Sequence, residues 1–219
     1  MAMFDEANVL IPGTDAAIPT DFVCRLSVKQ YHEMAQRGII PEDAQVELLD
    51  GWVVPKMIKK PAHSAVTELV RWAVERILRG EWFTRCQEPV TLATSEPEPD
   101  IAVIRGRRRD YLDHHPGPDE VALIVEVADV TLRRDRTTKK RLYAESGIAV
   151  YWIVNLVDRR IEVYGDPSGS GASRDYTVRR DFGVTDTVPL VIKGEQAGEI
   201  AVEMILPEAA TKGTEAGDA

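Results

Sequence analysis

One short segment constrains the fold more than any other. Val121-Ala122-Leu123-Ile124-Val125-Glu126-Val127 is apolar at every position but one. A run this brief and rich in branched side chains reads as a strand buried on both faces. It belongs at the centre of a sheet with cover above and below. Val150-Tyr151-Trp152-Ile153-Val154 reads the same way. Between the two, Asp135–Ser146 has helical character and Gly147 stops it. Glu126 is the exception inside the first run. A carboxylate there must be paired, neutralised or bound to a cation, because burying a bare charge is very costly.

The flanking segments fill out the sheet. Ser27 is a good N-cap for a short helix over Val28–Ala35, with Gly38 beyond its end. Gln45–Leu49 and Trp52–Ile58 flank Asp50-Gly51, the dipeptide of a tight hairpin whose two central residues need positive φ. Ala62–Arg79 reads as an amphipathic helix. Val66, Leu69, Val70, Ala73, Val74, Ile77 and Leu78 form its apolar stripe, and Gly80 ends it. Trp82–Leu92 reads as a strand. Ser95–Pro99 carries two prolines and fits neither a helix nor a central strand. Asp100–Ile104 opens a strand directly after it. Arg159–Tyr164 is the hairpin partner of the second buried strand, Pro167–Ser173 is a Gly/Ser loop, and two or three weaker strands reach to about Ile205. This order predicts an α/β fold, a mixed sheet flanked by helices rather than a regular βαβ alternation. The expected organisation is a flexible arm over residues 1–20, one domain over 21–206 and a disordered tail over 207–219.

A chain of 219 residues can bury its own core without staples. No apolar stretch reaches the ~18 residues of a spanning helix, and the start lacks the basic and apolar regions of a secretory leader. Cys24 and Cys86 stand in no motif spacing. A cytoplasmic protein with two free thiols is the simplest reading. The net charge of -9 weighs against a nucleic-acid partner. Its distribution weighs the other way: Arg105–Arg109 holds four Arg in five residues, and Arg133–Arg141 holds six Lys or Arg in nine. Either run could equally be a solvated face.

Each candidate site residue has a plain structural reading beside its chemical one. Glu126 could end in an ion pair, Asp100 could cap the strand it opens, and Lys139 could form a surface pair with Asp135 one turn away. Together they say more. Asp100 and Glu126 are separated by 25 residues, and two adjacent strands would bring them to one end of the sheet. Like charges held close need a cation between them. An oxygen-only ligand set suits Mg²⁺ or Mn²⁺, and neither His nor Cys occurs here at zinc spacing. Lys139 could orient a metal-bound water or offset charge on a phosphate oxygen, with Tyr143 one turn on. Glu47 could add a carboxylate or sit on the exposed face of its hairpin. His63 could carry a proton or touch phosphate, or be a plain surface residue at a helix start.

The ordered set is specific enough to name a family. Its members are Glu47-Leu48-Leu49-Asp50-Gly51, Pro61-Ala62-His63, Glu96-Pro97-Glu98-Pro99-Asp100-Ile101-Ala102-Val103, Val125-Glu126-Val127-Ala128-Asp129, Asp135-Arg136-Thr137-Thr138-Lys139, Tyr143-Ala144-Glu145-Ser146-Gly147-Ile148 and Tyr151-Trp152-Ile153-Val154-Asn155. The chain resembles the Uma2 family of restriction-endonuclease-type proteins, within the PD-(D/E)xK nuclease superfamily. The resemblance implies a restriction-endonuclease-like core, a divalent metal on Asp100 and Glu126, and Glu47 as a further acid at the metal. The superfamily's plain motif places its lysine two positions after the second acid, where this chain has Ala128. The family moves it to the next helix, where Lys139 stands and Lys140 points about 100° away. Asn155 stands where the family commonly has an aspartate. The function implied is metal-dependent hydrolysis of phosphodiester bonds in DNA, with a homodimer expected for cutting two strands. His63, Arg105, Arg136 and Tyr143 are the expected substrate contacts, both arginine runs lying near the carboxylates. Two alternatives stand beside this. One is a catalytically silent nuclease fold that binds DNA or protein. The other is a two-carboxylate glycosidase, which needs exposed aromatics, whereas aromatics are 6% of the chain and Trp72 and Trp152 read as core.

Overall fold

The computed structural model describes residues 24–206; the expected arm and tail, at 1–20 and 207–219, lie outside the described residues. Helix α1 (Val28–Gln36) begins in a capping box. The Gln30 amide donates to the Ser27 hydroxyl, and the Ser27 amide donates back to the Gln30 side chain. Strands β1 (Val46–Leu49) and β2 (Trp52–Pro55) pair as a separate antiparallel ribbon. Asp50 and Gly51 turn it with φ of 51° and 79°, as the dipeptide predicts. Helix α2 (Pro61–Ile77) opens on a proline, whose missing N–H costs nothing in the first turn.

Six strands form the main sheet: β3 (Trp82–Cys86), β4 (Ile101–Arg105), β5 (Val121–Ala128), β6 (Val150–Asn155), β7 (Arg160–Ser168) and β8 (Asp175–Gly183), neighbouring one another in that order. Only β5 and β6 run parallel. The helical segment crossing between them has three parts: α3 (Leu132–Arg134), a π-helical turn over Asp135–Lys139, and α4 (Lys140–Glu145). A second ribbon, β9 (Thr187–Ile192) with β10 (Glu195–Ala201), closes the fold. The result is a mixed α/β architecture around a central mixed sheet, with all eight residues of β5 buried.

The sheet is covered on both faces. Val66, Val70 and Val74 of α2, with Val188 and Leu190 of β9, pack on Leu123, Val125, Val127 and Trp152. Leu142, Tyr143 and Ala144 of α4 pack on Ala102, Ile104, Ile124 and Ile153. Side chains alternate along a strand, so Glu126, between Val125 and Val127, falls on the α4 face.

Four expectations need correction. β3 ends at Cys86 rather than Leu92, because Gln87 adopts φ 56° and Pro89 has no N–H to donate. β7 runs on to Ser168, so the Gly/Ser loop is shorter than expected. The helix expected over Asp135–Ser146 starts earlier, at Leu132, and is interrupted by the π-turn. Leu69 and Trp72 are not on the core face of α2; Trp72 is 47% exposed, with the Arg76 guanidinium 4.7 Å above its ring. Trp72 stands two residues from Val70, about 200° round the helix.

Candidate active site

Antiparallel register brings the first two carboxylates together. Ile101 pairs with Val125, so Asp100 and Glu126 meet one step further, at the edge where β4 begins and β5 ends. The Val127 amide donates to Asp100 Oδ2 at 2.8 Å. His63 Nε2, from the first turn of α2, lies 3.2 Å from the same oxygen. On Glu126, Oε1 accepts from Lys139 Nζ at 2.9 Å and from the Tyr143 hydroxyl at 2.8 Å. Lys139 also lies 3.4 Å from Glu47 Oε2, which accepts from the Glu98 amide at 3.3 Å. Arg134 stands 3.8 Å from Glu47 Oε1. Lys139 is thus a cation held between acids of two different strands, itself only 4% exposed. The π-turn aims it there: a wider turn brings both Asp135 and Lys139 inward, and both are buried.

Burial and charge pull on this cluster in opposite directions. Burial pushes the Glu126 carboxyl up to about 8, against the pull of the Lys139 ammonium, and Asp100, Asp135 and Glu47 push the same way as burial. Burial alone would lower Lys139, but the carboxylates of Glu126, Glu47 and Asp135 outweigh it and hold the ammonium well above the usual lysine range. For Asp100, burial is outweighed by His63 and the Val127 amide, which keep it below the ordinary carboxylate value. Burial and the neighbouring Glu126 push the Tyr143 hydroxyl well up, so it stays a donor.

A narrow cleft opens onto these groups. Six carboxylate side chains line it (Glu47, Glu98, Asp100, Glu126, Asp129, Asp135) against five cations (Lys56, Lys59, Lys60, Arg134, Lys139). With all of them ionised, the lining has no surplus positive charge to offer a phosphate.

Six expected residues therefore converge: Glu47, His63, Asp100, Glu126, Lys139 and Tyr143. Arg105 does not. It ends β4 opposite Trp82, while Asp100 precedes that strand's first residue. Five extended residues at about 3.4 Å each separate the two, so the run Arg105–Arg109 lies at the far end of the sheet. Arg136 is committed elsewhere, to Glu162 and to Asp158. Lys140 also turns away, to Asp175 at 2.9 Å. Besides Lys139, the basic residues that do reach the cleft are Lys56, Lys59, Lys60 and Arg134. Arg134 belongs to the Arg133–Arg141 run, while Lys56-x-x-Lys59-Lys60 just before a proline is the only sequence trace of the three lysines.

The donor set suits a hard divalent cation. Among the described residues, the protein donors converge on Oδ2 of Asp100 and Oε1 of Glu126, leaving one oxygen of each carboxylate to a ligand. Glu47, the third acid expected at the metal, lies 3.4 Å from Lys139, and no three His, Cys, Asp or Glu side chains among the described residues close into a metal cage. Two carboxylates plus water and substrate oxygens is a normal way to hold Mg²⁺.

Comparison with known proteins places the chain by family and by fold. The model of the Uma2 family, described as "Putative restriction endonuclease", matches residues 28–201. The chain belongs to that family. Among solved structures, it resembles one described as a putative nuclease belonging to DUF820 from Anabaena variabilis ATCC 29413. The TM-score is 0.59 and the identity 14%, over 82% of this chain and 97% of that one, so the two share a fold. No curated protein matches the chain. Among the described residues, no helix is long and apolar enough to cross a membrane.

Proposed function

We propose that this protein is a metal-dependent nuclease that hydrolyses phosphodiester bonds, with DNA as substrate. The observation that carries the reading is the meeting of Asp100 and Glu126 at one end of the sheet, with Lys139 held between Glu126 and Glu47, at the head of a cleft. Asp100 and Glu126 would hold the cation, which when bound polarises the phosphate and makes a water molecule a better nucleophile. The remaining work falls to the chain's own groups. Lys139, kept protonated by its acids, steadies negative charge developing on a phosphate oxygen. Tyr143 and Lys139 fix the rotamer of Glu126. His63 fixes Asp100 and lies within reach of a proton leaving the site. Glu47 keeps Lys139 aimed at the cleft. Because the lining has no excess of positive charge, the divalent cation is also what lets a phosphodiester approach at all. Cutting two strands would take two copies of the chain. Residence in the cytoplasm, where Cys24 and Cys86 would stay reduced, goes with the reading.

The test is cleavage of plasmid and single-stranded DNA with Mg²⁺ or Mn²⁺, comparing wild type with Asp100→Asn and Glu126→Gln. Metal-dependent cutting that both folded variants lose supports the nuclease. A metal-induced rise in melting temperature without cutting, lost in the variants, supports a silent member of the fold that keeps its cation. With neither effect, the carboxylates are structural and the proposal fails.

A further inference from the structure

The strap between β2 and α2 has an unusual make-up for the wall of a polar cleft. Lys56-Met57-Ile58-Lys59-Lys60 runs along it. Both ends are tied down: Lys56 pairs with Glu98, and Lys60 with Asp129 at 2.7 Å. Those anchors sit on the loops that carry the acids, Glu98 just before Asp100 and Asp129 just after β5. The middle of the strap is uncommitted. Ile58 is 92% exposed, Met57 is half exposed, and Lys59 has no ion-pair partner among the described residues. Val130, also exposed, lines the same cleft.

A single exposed aliphatic side chain means nothing on an ordinary surface. Three beside one charged cleft, on a strap pinned at both ends, need a partner that is part anion and part apolar. Phosphate is only the first. A nucleobase face is the second, and aliphatic side chains wedge against bases where stacking is broken. Among the described residues no Phe, Tyr or Trp lines the cleft, and His63 is turned to Asp100, so aliphatic contact is what a base would meet at the strap. An intact duplex hides its base faces within the stack; unpaired nucleotides do not. We propose that the strap 56–60 is a wedge that reads unpaired nucleotides beside the scissile phosphate, Ile58 and Met57 meeting a base and Lys59 a flanking phosphate. The substrate class is then nucleic acid with a single-stranded, bulged or flapped segment. This rests on reading the cleft as a nucleic-acid site.

The experiment is fluorescence anisotropy on the full chain with Ca²⁺. The probes are a labelled single strand, its matched duplex and the same duplex with a central bulge. Wild type should favour the single strand and the bulge over the duplex by about fivefold or more, and Ile58→Ser should shrink that ratio to within about twofold. Lys59→Ala should weaken all three alike. An unchanged ratio in Ile58→Ser, equal wild-type affinity for all three, or no binding to any overturns the wedge. Cleavage assayed in parallel separates the two proposals. Selective binding without cutting keeps the wedge and sinks the nuclease, and cutting without selectivity does the reverse.

Discussion

Lys139 is the residue on which the cluster turns. Its ammonium is the only full positive charge within 3.5 Å of Glu126 and Glu47 among the described residues. Lys139→Met keeps most of the side chain's bulk and strips the charge, leaving two buried acids facing Asp100. The expected cost is about 3 kcal/mol or more, read as a shift of the urea midpoint, and added Mg²⁺ should recover part of it. Single residues were legible in the sequence to the extent that burial makes them expensive. Glu126 declared itself because a carboxylate in an apolar strand demands a partner, and Asp100 because a strand adjacent to that one would bring it to the same end of the sheet. His63 stayed ambiguous. Its place beside Asp100 depends on where the start of α2 meets the sheet, which no local pattern encodes.

At the scale of elements, the helical crossover is held by its far side as firmly as by the site. Arg136, in the same π-turn as Lys139, is bound to Glu162 on β7. Glu162 also accepts from Asn155 at 2.8 Å and from Tyr164 at 2.8 Å. Burial works against the Glu162 charge, but the bonds from Arg136, Asn155 and Tyr164 outweigh it and lower the carboxyl from its ordinary 4.5. A group depressed on folding stabilises the protein above its unfolded value. That contribution is lost as pH falls through the folded one. Stability should therefore drop as pH falls below about 4.5, and Glu162→Gln should flatten that drop in urea titrations over the acid range. The β9–β10 ribbon offers a second check. A Cβ on Gly198 would lie 2.7 Å from Ile77 Cγ2 of α2. Gly198→Ala should cost about 1–3 kcal/mol by the same urea measurement, the ribbon and helix being too tightly packed to part. The π-turn itself had no signature: Asp135 and Lys139 at four-residue spacing share a face in any helix, and only tertiary packing widens the turn to bury both.

For the whole molecule, the sheet explains both what was legible and what was misjudged. Buried strands, the Asp-Gly hairpin and the order of elements fixed the α/β class because they rest on short-range patterns. Strand direction did not follow so easily. Placing Arg105–Arg109 near the acids requires β4 to be read backwards, since the strand starts at the site and leaves it. The consequence is measurable. The chain carries a net charge of -9, and most cleft cations already have carboxylate partners. DNA affinity should therefore depend only shallowly on salt. Log K against log salt should have a slope no steeper than about -3, followed by anisotropy between about 50 and 200 mM. Arg107→Ala and Arg108→Ala together should leave that slope unchanged.

Glu47 reaches the cluster on a ribbon outside the six-stranded sheet, with Leu49 and Val54 packed into the core on the α4 face. Three backbone hydrogen bonds tether it: Leu26 to Gly51 at 2.9 Å, Gly51 to Thr94 at 2.9 Å and Glu96 to Leu48 at 2.7 Å. Although Leu48 and Leu49 are buried, no strand ladder joins this ribbon to the main sheet, so it can open while the rest stays folded. Its amides should exchange with deuterium sooner than those of β5 and β6. Each opening would withdraw Glu47 from Lys139 for as long as it lasts. The cluster then has a lifetime of its own, shorter than that of the native state and set by a hairpin of eight strand residues.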